Sequence, residues 1–260
     1  MNALKRILPL SVATTALLLL AATPALADDS SKQQSILDPA GPSAQHISDL
    51  WYIILVPALL VLVLVCGAII YAAFRFRRKS EDEIPRQVAG SNALEFTWSL
   101  VPALILLAIF VLTVYQMPFV RQVPASASNA MLVKVIGRQW AWSFGYPNVK
   151  TVKIGQKVTA NGTPYTTATN DLVIPAGTVV SLDINSMDVI HSWSIPRLQG
   201  RIDAIPGQTN HSWVEANSPG AYYGQCSEFC GLSHAAMTAR VLALSQSDWD
   251  AWYSKQVGGP

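Results

Sequence analysis

Two long uncharged stretches dominate the first half of the chain, whereas the second half contains short apolar segments separated by turn residues. Residues 51–74 contain no charged side chain, and residues 97–120 repeat this pattern. Each stretch would form about 36 Å of helix at a rise of about 1.5 Å per residue, enough to cross a hydrocarbon core of about 30 Å. The pattern predicts transmembrane helices at residues 50–74 and 97–120, rather than two buried helices of a soluble core.

The N-terminal residues 1–27 have the three parts of a secretory signal. A basic start is followed by an apolar middle at residues 7–20 and by small residues up to Ala27. Because the middle is short and Asp28 follows at once, the sequence predicts a cleaved signal peptide rather than an uncleaved first helix. Residues 28–49 are polar and contain turn formers, which indicates an extended outer segment.

The charges that flank the two spans define an orientation. Residues 75–96 carry several basic side chains, whereas only Arg121 directly follows the second span. Positive residues stay on the cytoplasmic side, and the predicted signal independently requires an outer N-terminus. Both arguments predict a cytoplasmic loop, with both termini on the periplasmic face of a bacterial inner membrane. The basic loop residues are Arg75, Arg77, Arg78, Lys79 and Arg86.

The remaining segment, residues 121–260, has the pattern of many short strands. Segments rich in Val, Ile and Leu alternate with turns that contain Gly and Pro, which predicts an all-β sandwich or barrel. A serine before Trp249 and Trp252 predicts a closing amphipathic helix at residues 245–256. The predicted strands are residues 131–136, 171–174, 178–184, 211–215 and 236–244.

Composition narrows the classes of function. The chain is 51% hydrophobic and 13% charged, which is apolar for a wholly soluble protein, and its formal net charge of +2 gives no sign of nucleic-acid binding. Of the three cysteines, Cys66 lies within the first span and is interpreted as a small buried hydrophobe. The other two lie in a polar, Gly-containing stretch, where chemistry is the better explanation.

Candidate metal ligands cluster between Cys226 and Met237. Cys230, His234 and Met237 supply a thiolate, an imidazole and a thioether in the order typical of blue-copper loops. His191, well before the loop, supplies a second imidazole. Cys226 adds a second thiolate, and two thiolates can bridge two copper ions. Copper suits these soft ligands better than magnesium or calcium, which take oxygen ligands.

Three alternatives stay open on the residues alone. The two cysteines are compatible with a disulfide in an oxidising compartment. Two thiolates and two imidazoles are compatible with structural zinc. His191 is also compatible with an ordinary polar position on a strand. Met237, which a zinc site does not need, favours copper, and His46 and His211 lie outside any ligand pattern.

The chain resembles cytochrome c oxidase subunit II over roughly residues 35–255. The resemblance is carried by CSEFCGLSHAAM at 226–237, DVIHSWSIP at 188–196, DAIPGQTN at 203–210 and GRQWAWSFGYP at 137–147. It implies a two-helix transmembrane hairpin followed by an all-β cupredoxin-like domain, a Greek-key sandwich or barrel. It further implies a dinuclear copper A centre, held by His191, Cys226, Cys230, His234, Met237 and the main-chain carbonyl of Glu228.

The resemblance also implies roles outside the copper ligands. The Glu228 side chain would reach a magnesium ion shared with subunit I, where the alternative is a solvated carboxylate. Trp140 would accept the electron from the donor, where the alternative is a core aromatic. Glu95 would stand at the cytoplasmic mouth of a proton path, where the alternative is an ordinary interface carboxylate. Asp188, beside His191, is a candidate to orient that ligand or to contact the donor.

The implied function is electron transfer from cytochrome c, or a similar donor, to haem in subunit I, where oxygen is reduced and protons are translocated. The complex would also contain subunit III. Two alternatives are the copper A subunit of a nitric-oxide reductase of the same superfamily and a membrane-tethered copper carrier. A quinol-oxidase subunit is disfavoured by the intact ligand set. Arg138, Ala141 and Thr238 depart from the family's common His, Tyr and Pro, which leaves the donor's identity open.

Overall fold

The computed structural model describes residues 34–80, 84, 87 and 90–257. Within these residues two long apolar helices precede a β domain, and a short helix follows it. The predicted signal peptide at residues 1–27 lies outside the described residues, as do parts of the predicted loop at residues 75–96.

Helix α1 spans Pro42–Arg75 and therefore begins at Pro42 rather than at residue 50. Proline suits the first turn of a helix, because its missing N–H breaks no helical hydrogen bond there and its ring presets φ. The β domain supports this turn, since Ala44 N donates a hydrogen bond to Leu198 O at 3.2 Å. The prediction of an extended segment is thus wrong for residues 42–49.

Helix α2 spans Asn92–Arg121 and begins before the predicted residue 97, because Ser91 caps it. The Ser91 hydroxyl accepts a hydrogen bond from Leu94 N at 3.5 Å, which satisfies one of the free amides of the first turn. No residue in the apolar windows of α1 and α2 is buried within the described chain. The predicted hairpin is confirmed as two helices long and apolar enough to cross a membrane.

Eleven strands make up the described β domain. They are β1 Met131–Arg138, β2 Ala141–Gly145, β3 Lys157–Ala160, β4 Thr163–Thr166, β5 Asp171–Pro175, β6 Val180–Ser186, β7 His191–Ile195, β8 Gln199–Ala204, β9 Asn210–Val214, β10 Gly220–Gln225 and β11 Thr238–Leu244. One sheet has the order β2-β1-β6-β9 and the other β10-β11-β5, while β3-β4 and β7-β8 form two-stranded sheets. β1 runs parallel to β6, and β5 runs parallel to β11.

The two larger sheets enclose an apolar core, which confirms the predicted sandwich. β6 alternates between buried and half-buried residues, as a strand with one face on a core does. In β7, by contrast, all five residues are buried. The rings of Trp142 and Trp193 are fully buried and lie edge to face, with centroids 5.1 Å apart.

Helix α3, Gln246–Val257, closes the domain as its sequence pattern predicts. Ser245 caps it, since its hydroxyl accepts a hydrogen bond from Asp248 N at 3.2 Å. Trp249 and Trp252 then pack on the buried ring of Tyr146, at centroid distances of 6.1 and 5.4 Å.

The helices meet the β domain mainly at β8. A side chain at Gly41 would place its Cβ 2.2 Å from Glu215 O, so this approach of the two backbones requires glycine. On β8, Gly200 leaves room for Ile47, whose Cδ1 lies 3.1 Å from the position of an ideal Cβ. The helix ends and β8 enclose a cavity of about 460 Å³, whose charged lining residues are Arg121, Arg201 and Asp203.

Candidate metal centre

The five side chains predicted as metal ligands converge at one end of the sandwich. His191 is the first residue of β7, and the other four lie on or beside the loop that joins β10 to β11. A hydrogen bond of 2.9 Å from Cys226 N to Met237 O closes the neck of this loop. The strands therefore hold the two ends of the loop side by side, facing His191.

The two cysteine sulfurs lie next to each other without a bond between them. The Sγ atoms of Cys226 and Cys230 are 3.8 Å apart, and both cysteines are free and buried. A disulfide requires about 2.05 Å between the sulfurs, so the structure does not contain the disulfide that the spacing left open.

The remaining donor atoms surround this pair of sulfurs. His191 Nδ1 lies 3.9 Å from Cys226 Sγ, and the main-chain oxygen of Glu228 lies 3.2 Å from the same sulfur. On the other side, His234 Nδ1 lies 3.4 Å and Met237 Sδ 3.8 Å from Cys230 Sγ. The ligand atoms of His191, Cys226 and Cys230 all lie within 4.8 Å of one another, close enough to share a metal.

The surroundings of the site determine the protonation of the Cys230 thiol when no metal is bound. Burial raises the pKa of the Cys230 thiol to about 11, and the neighbouring Cys226 adds to the shift. At neutral pH the metal-free thiol therefore keeps its proton. A cation bound to these sulfurs would replace that proton and stabilise the thiolates.

The chemistry of the donor set fits copper better than zinc. Zinc in structural sites takes four Cys or His ligands in a tetrahedron. Here a thioether is added to two thiols and two imidazoles, and Met237 is fully buried against Cys230. Soft sulfur ligands together with imidazole are typical of copper electron-transfer sites. The residues present thus fit a copper pair.

Asp188 ties one ligand to the segment before Trp140. Its carboxylate accepts hydrogen bonds from His191 Nε2 at 2.8 Å, from Gln139 N at 2.7 Å and from Val189 N at 2.7 Å. Desolvation by itself would raise the pKa of Asp188, but these hydrogen bonds outweigh it and lower the pKa. With Nε2 donating to a carboxylate, Nδ1 of His191 keeps its lone pair for a metal.

Trp140 is half-buried directly above the cysteine loop. Its Nε1 donates to Cys230 O at 3.2 Å, and Gln139 Nε2 donates to the same oxygen at 2.8 Å. Gly231 has a φ of +116°, and a Cβ there would lie 3.0 Å from Gln139 Nε2 and 3.3 Å from the Trp140 ring. Trp142, in contrast, is a fully buried core aromatic that packs edge-on against His191 at 6.0 Å.

Two residues that contact the site, Gln139 and Arg201, are not predicted from the sequence. Gln139 carries no signal by itself, since its role depends on two contacts with distant residues. Arg201 forms an ion pair with the carboxylate of Glu228 and a second one, at 3.2 Å, with Asp203. An arginine close to an acidic residue is common at protein surfaces, so the sequence around Arg201 contains no signal of a role at the site.

The other predicted positions lie apart from the centre. Glu95 is in the first turn of α2, about 39 Å along the helix from Arg121 at about 1.5 Å per residue. His46 stacks on Phe119 with centroids 5.2 Å apart, and His211 contacts Asp183 at 2.6 Å. Both histidines are outside the ligand set, as predicted.

Comparisons with known families agree with this architecture. The family described as "Cytochrome C oxidase subunit II, periplasmic domain" matches residues 131–244. The family described as "Cytochrome C oxidase subunit II, transmembrane domain" matches residues 29–115. The two matches therefore cover the helical anchor and the strands that carry the metal centre.

Individual proteins are similar over most of the chain. Cytochrome c oxidase subunit 2 of Alkalihalophilus pseudofirmus is 37% identical, over 83% of this chain and 60% of its own length. The subunit 2 of Arabidopsis thaliana is 32% identical, over 86% of this chain and 90% of its own length. The crystal structure of the periplasmic domain of cytochrome oxidase subunit II from Bradyrhizobium japonicum is 32% identical, with a TM-score of 0.40, and covers 48% of this chain and 92% of that one.

Proposed function

This chain belongs to the cytochrome c oxidase subunit II family, and from that premise we propose that it passes single electrons through a dinuclear copper A centre to the catalytic subunit of a haem-copper oxidase. The observation that carries the proposal is the pair of free, buried thiols, 3.8 Å apart, with an imidazole beside each sulfur. Subunit I is its partner in the membrane, and oxygen chemistry belongs to that subunit.

The residues that would hold the metal are His191, Cys226, Cys230, His234 and Met237, together with the Glu228 main-chain oxygen. A copper pair held by these residues would supply a one-electron store with a low cost of reorganisation, because two ions would share the charge. The protein keeps this store dry, since His191 and Met237 are fully buried. Asp188 holds the His191 ring in orientation through a hydrogen bond of 2.8 Å.

Trp140 is the proposed point of electron uptake. Its ring is partly exposed. Its Nε1 donates a hydrogen bond to the main-chain oxygen of Cys230, and the sulfur of the same cysteine is a proposed metal ligand. A hydrogen bond followed by a few covalent bonds is a short route for an electron from the surface. Its half-buried position also supports uptake over the role of a core aromatic, which Trp142 fills.

Glu228 is proposed to contribute its carboxylate to a magnesium ion at the interface with subunit I. Its main-chain oxygen faces the copper ligands, while its side chain points to Arg201. Arg201 and Asp203 also line the cavity between the helices and β8. In the isolated chain Arg201 balances the Glu228 charge, and the magnesium ion would take over that role in the complex.

The burial of the ligands argues against a copper carrier. A carrier must release its ion, yet the two cysteines, Met237 and His191 have almost no exposed surface. The final acceptor, oxygen or nitric oxide, is chosen by the catalytic subunit. The relatives described above are named as cytochrome c oxidase subunits, which favours oxygen.

The test is the metal content and spectrum of the complex purified from membranes. We expect two copper ions per chain at this site and a seven-line electron paramagnetic resonance pattern, because one unpaired electron is shared by two equivalent copper nuclei. Cys226→Ser should remove this pattern, whereas Cys66→Ser, in the first span, should leave it unchanged. A four-line pattern with one copper per chain would contradict the proposal.

A further inference from the structure

Large apolar side chains are exposed beside Trp140. Leu232 is 98% exposed and Met187 is 73% exposed. Leu232 follows Gly231, which packs against the Trp140 ring. Met187 N donates to Gly137 O at 3.0 Å, and the adjacent Asp188 accepts from Gln139 N. The backbones of these two exposed residues thus adjoin the segment that carries the proposed point of electron uptake, on loops from different parts of the sandwich.

The surface next to Trp140 carries one basic side chain, Arg138, and one carboxylate, Asp188, so it has no excess of negative charge. Arg138, two residues before Trp140, is exposed and has no ion-pair partner among the described residues. The nearest carboxylate, Asp188, already accepts hydrogen bonds from His191, Gln139 and Val189.

Carboxylates elsewhere in the domain are also engaged. Of the eight acidic residues between 131 and 257, five contact an arginine or histidine side chain. Two of the others, Asp248 and Asp250, lie on α3. The eighth, Glu215, lies beside Gly41 at the start of α1. Among the described residues 131–257, no acidic residue is therefore known to be both next to Trp140 and without a basic partner. The five are Asp171, Asp183, Asp188, Asp203 and Glu228.

We propose that Arg138, Trp140, Met187 and Leu232 form an uptake rim that docks the cofactor edge of a one-electron carrier protein whose own surface there is apolar and bordered by uncharged or acidic side chains. This rests on the proposed function and specifies its partner. Leu232 and Met187 supply the apolar area that the complex with the donor buries. The positive charge of Arg138 would repel a lysine-rich surface.

The position of the rim favours the donor over the catalytic subunit as its occupant. The cavity between the helices and the β domain is lined by the helix ends, β8 and the start of β9, and no rim residue lines it. Glu228, which is proposed to face subunit I, points to Arg201 at that cavity. The rim instead surrounds Trp140, from which the hydrogen bond to Cys230 leads inward.

The experiment compares two donors on the purified oxidase complex. The probes are a lysine-rich c-type cytochrome and the same protein with its lysines acetylated, so that only the charge differs. Binding to the immobilised oxidised complex and the rate of copper reduction are both measured at low and at physiological salt. We expect the acetylated donor to bind at least as tightly, and its rate to change by less than about threefold with salt.

Three variants and one control locate the contact. Leu232→Glu should weaken binding of the acetylated donor about tenfold, because a charge replaces an exposed leucine that the complex with the donor would bury. Ile154→Glu, at an exposed apolar position in the loop before β3, should leave binding unchanged. Arg138→Glu should tighten binding of the lysine-rich donor and make it salt-dependent. Trp140→Ala should slow electron uptake at every salt concentration without restoring salt dependence.

Two results would overturn the docking proposal. One is much tighter, strongly salt-dependent binding of the lysine-rich donor to the unaltered complex, which would require a carboxylate patch. The other is loss of subunit I from the purified complex on Leu232→Glu, which would make the rim a subunit interface. In either case the seven-line spectrum and reduction by a small-molecule reductant would still test the proposed function separately.

Discussion

Asp188 illustrates how single residues determine the geometry of the centre. One carboxylate binds a ligand ring, the amide of Gln139 and the amide of Val189. It therefore couples the orientation of His191 to the backbone that precedes Trp140. The sequence indicates Asp188 as a candidate because it lies close to the proposed ligand His191. Its hydrogen bond to Gln139 joins residues 49 positions apart and is visible only in the folded structure.

Replacement of Asp188 by asparagine should weaken the metal site. The amide side chain would keep one acceptor oxygen but lose the charge that holds the His191 N–H, so we expect copper affinity to fall by about 10- to 100-fold. Affinity is measured by competition with a chelator. Asp183→Asn is the matched control, because it removes the same kind of contact from His211, which is not a ligand. Equal losses in both variants would contradict a specific role for Asp188.

Gly231 should be required for the contact between Trp140 and the cysteine loop. In Gly231→Ala the new Cβ would press on Gln139 and Trp140 and disturb their hydrogen bonds to Cys230 O. We expect slower electron uptake from the donor with the copper spectrum retained. Gly177→Ala controls for backbone strain, since Gly177 has a φ of +67° and open space around it. Normal uptake in Gly231→Ala would exclude this contact as the route.

At the scale of elements, the sequence predicts best where a pattern is local. Five strands, two apolar helices and the capped helix α3 are confirmed because alternation, length and capping belong to the segment itself. Six of the eleven described strands were not predicted. In β7, for example, three of the five buried residues are polar, whereas a strand buried on both faces is expected to be an apolar run. The start of α1 was missed because the backbone of residues 40–44 is supported by hydrogen bonds to Arg197 and Leu198 on the β domain.

The proposed metal ligands are likewise predicted where the pattern is local. Four of the five side chains lie within twelve residues, so their spacing favours copper, while a disulfide and structural zinc stay open on the sequence. Arg201, Gln139 and the hydrogen bond of Trp140 depend on the fold, since they bring together residues 27, 91 and 90 positions apart. Contacts between residues so far apart leave no periodic pattern in the sequence.

The first turn of α2 provides a test of the predicted proton path. Glu95→Gln should slow steady-state turnover of the complex several-fold, because the neutral amide cannot carry a proton, while reduction of copper by the donor stays unchanged. Turnover is measured across pH together with the rate of copper reduction. An acidic residue at this end also stabilises the helix, so Glu95→Gln could act through helix stability alone. Ser91→Ala, which removes the cap of the same turn, is the control for that effect. Unchanged turnover at all pH values would make Glu95 an ordinary interface residue.

At the scale of the whole molecule, the anchor and the domain form one connected unit. Ser43 Oγ donates to Val120 O at 3.3 Å, and Asn217 N donates to Ala40 O at 2.8 Å, so the ends of both helices and the β domain are joined. The candidate metal centre therefore has a fixed position relative to the ends of the two apolar helices.

The orientation in the membrane is the last prediction. Basic residues around 75–79 predict that the loop between the spans is cytoplasmic, and the β domain must then lie outside. In spheroplasts, a membrane-impermeant maleimide should label Thr163→Cys at the exposed hairpin β3-β4, and should label Ser80→Cys only after permeabilisation. The unaltered chain is the control, since Cys66 lies within the first span and the other two cysteines are buried. Labelling of Ser80→Cys in intact spheroplasts would place the loop outside, and a domain facing the cytoplasm could not receive electrons from a periplasmic donor.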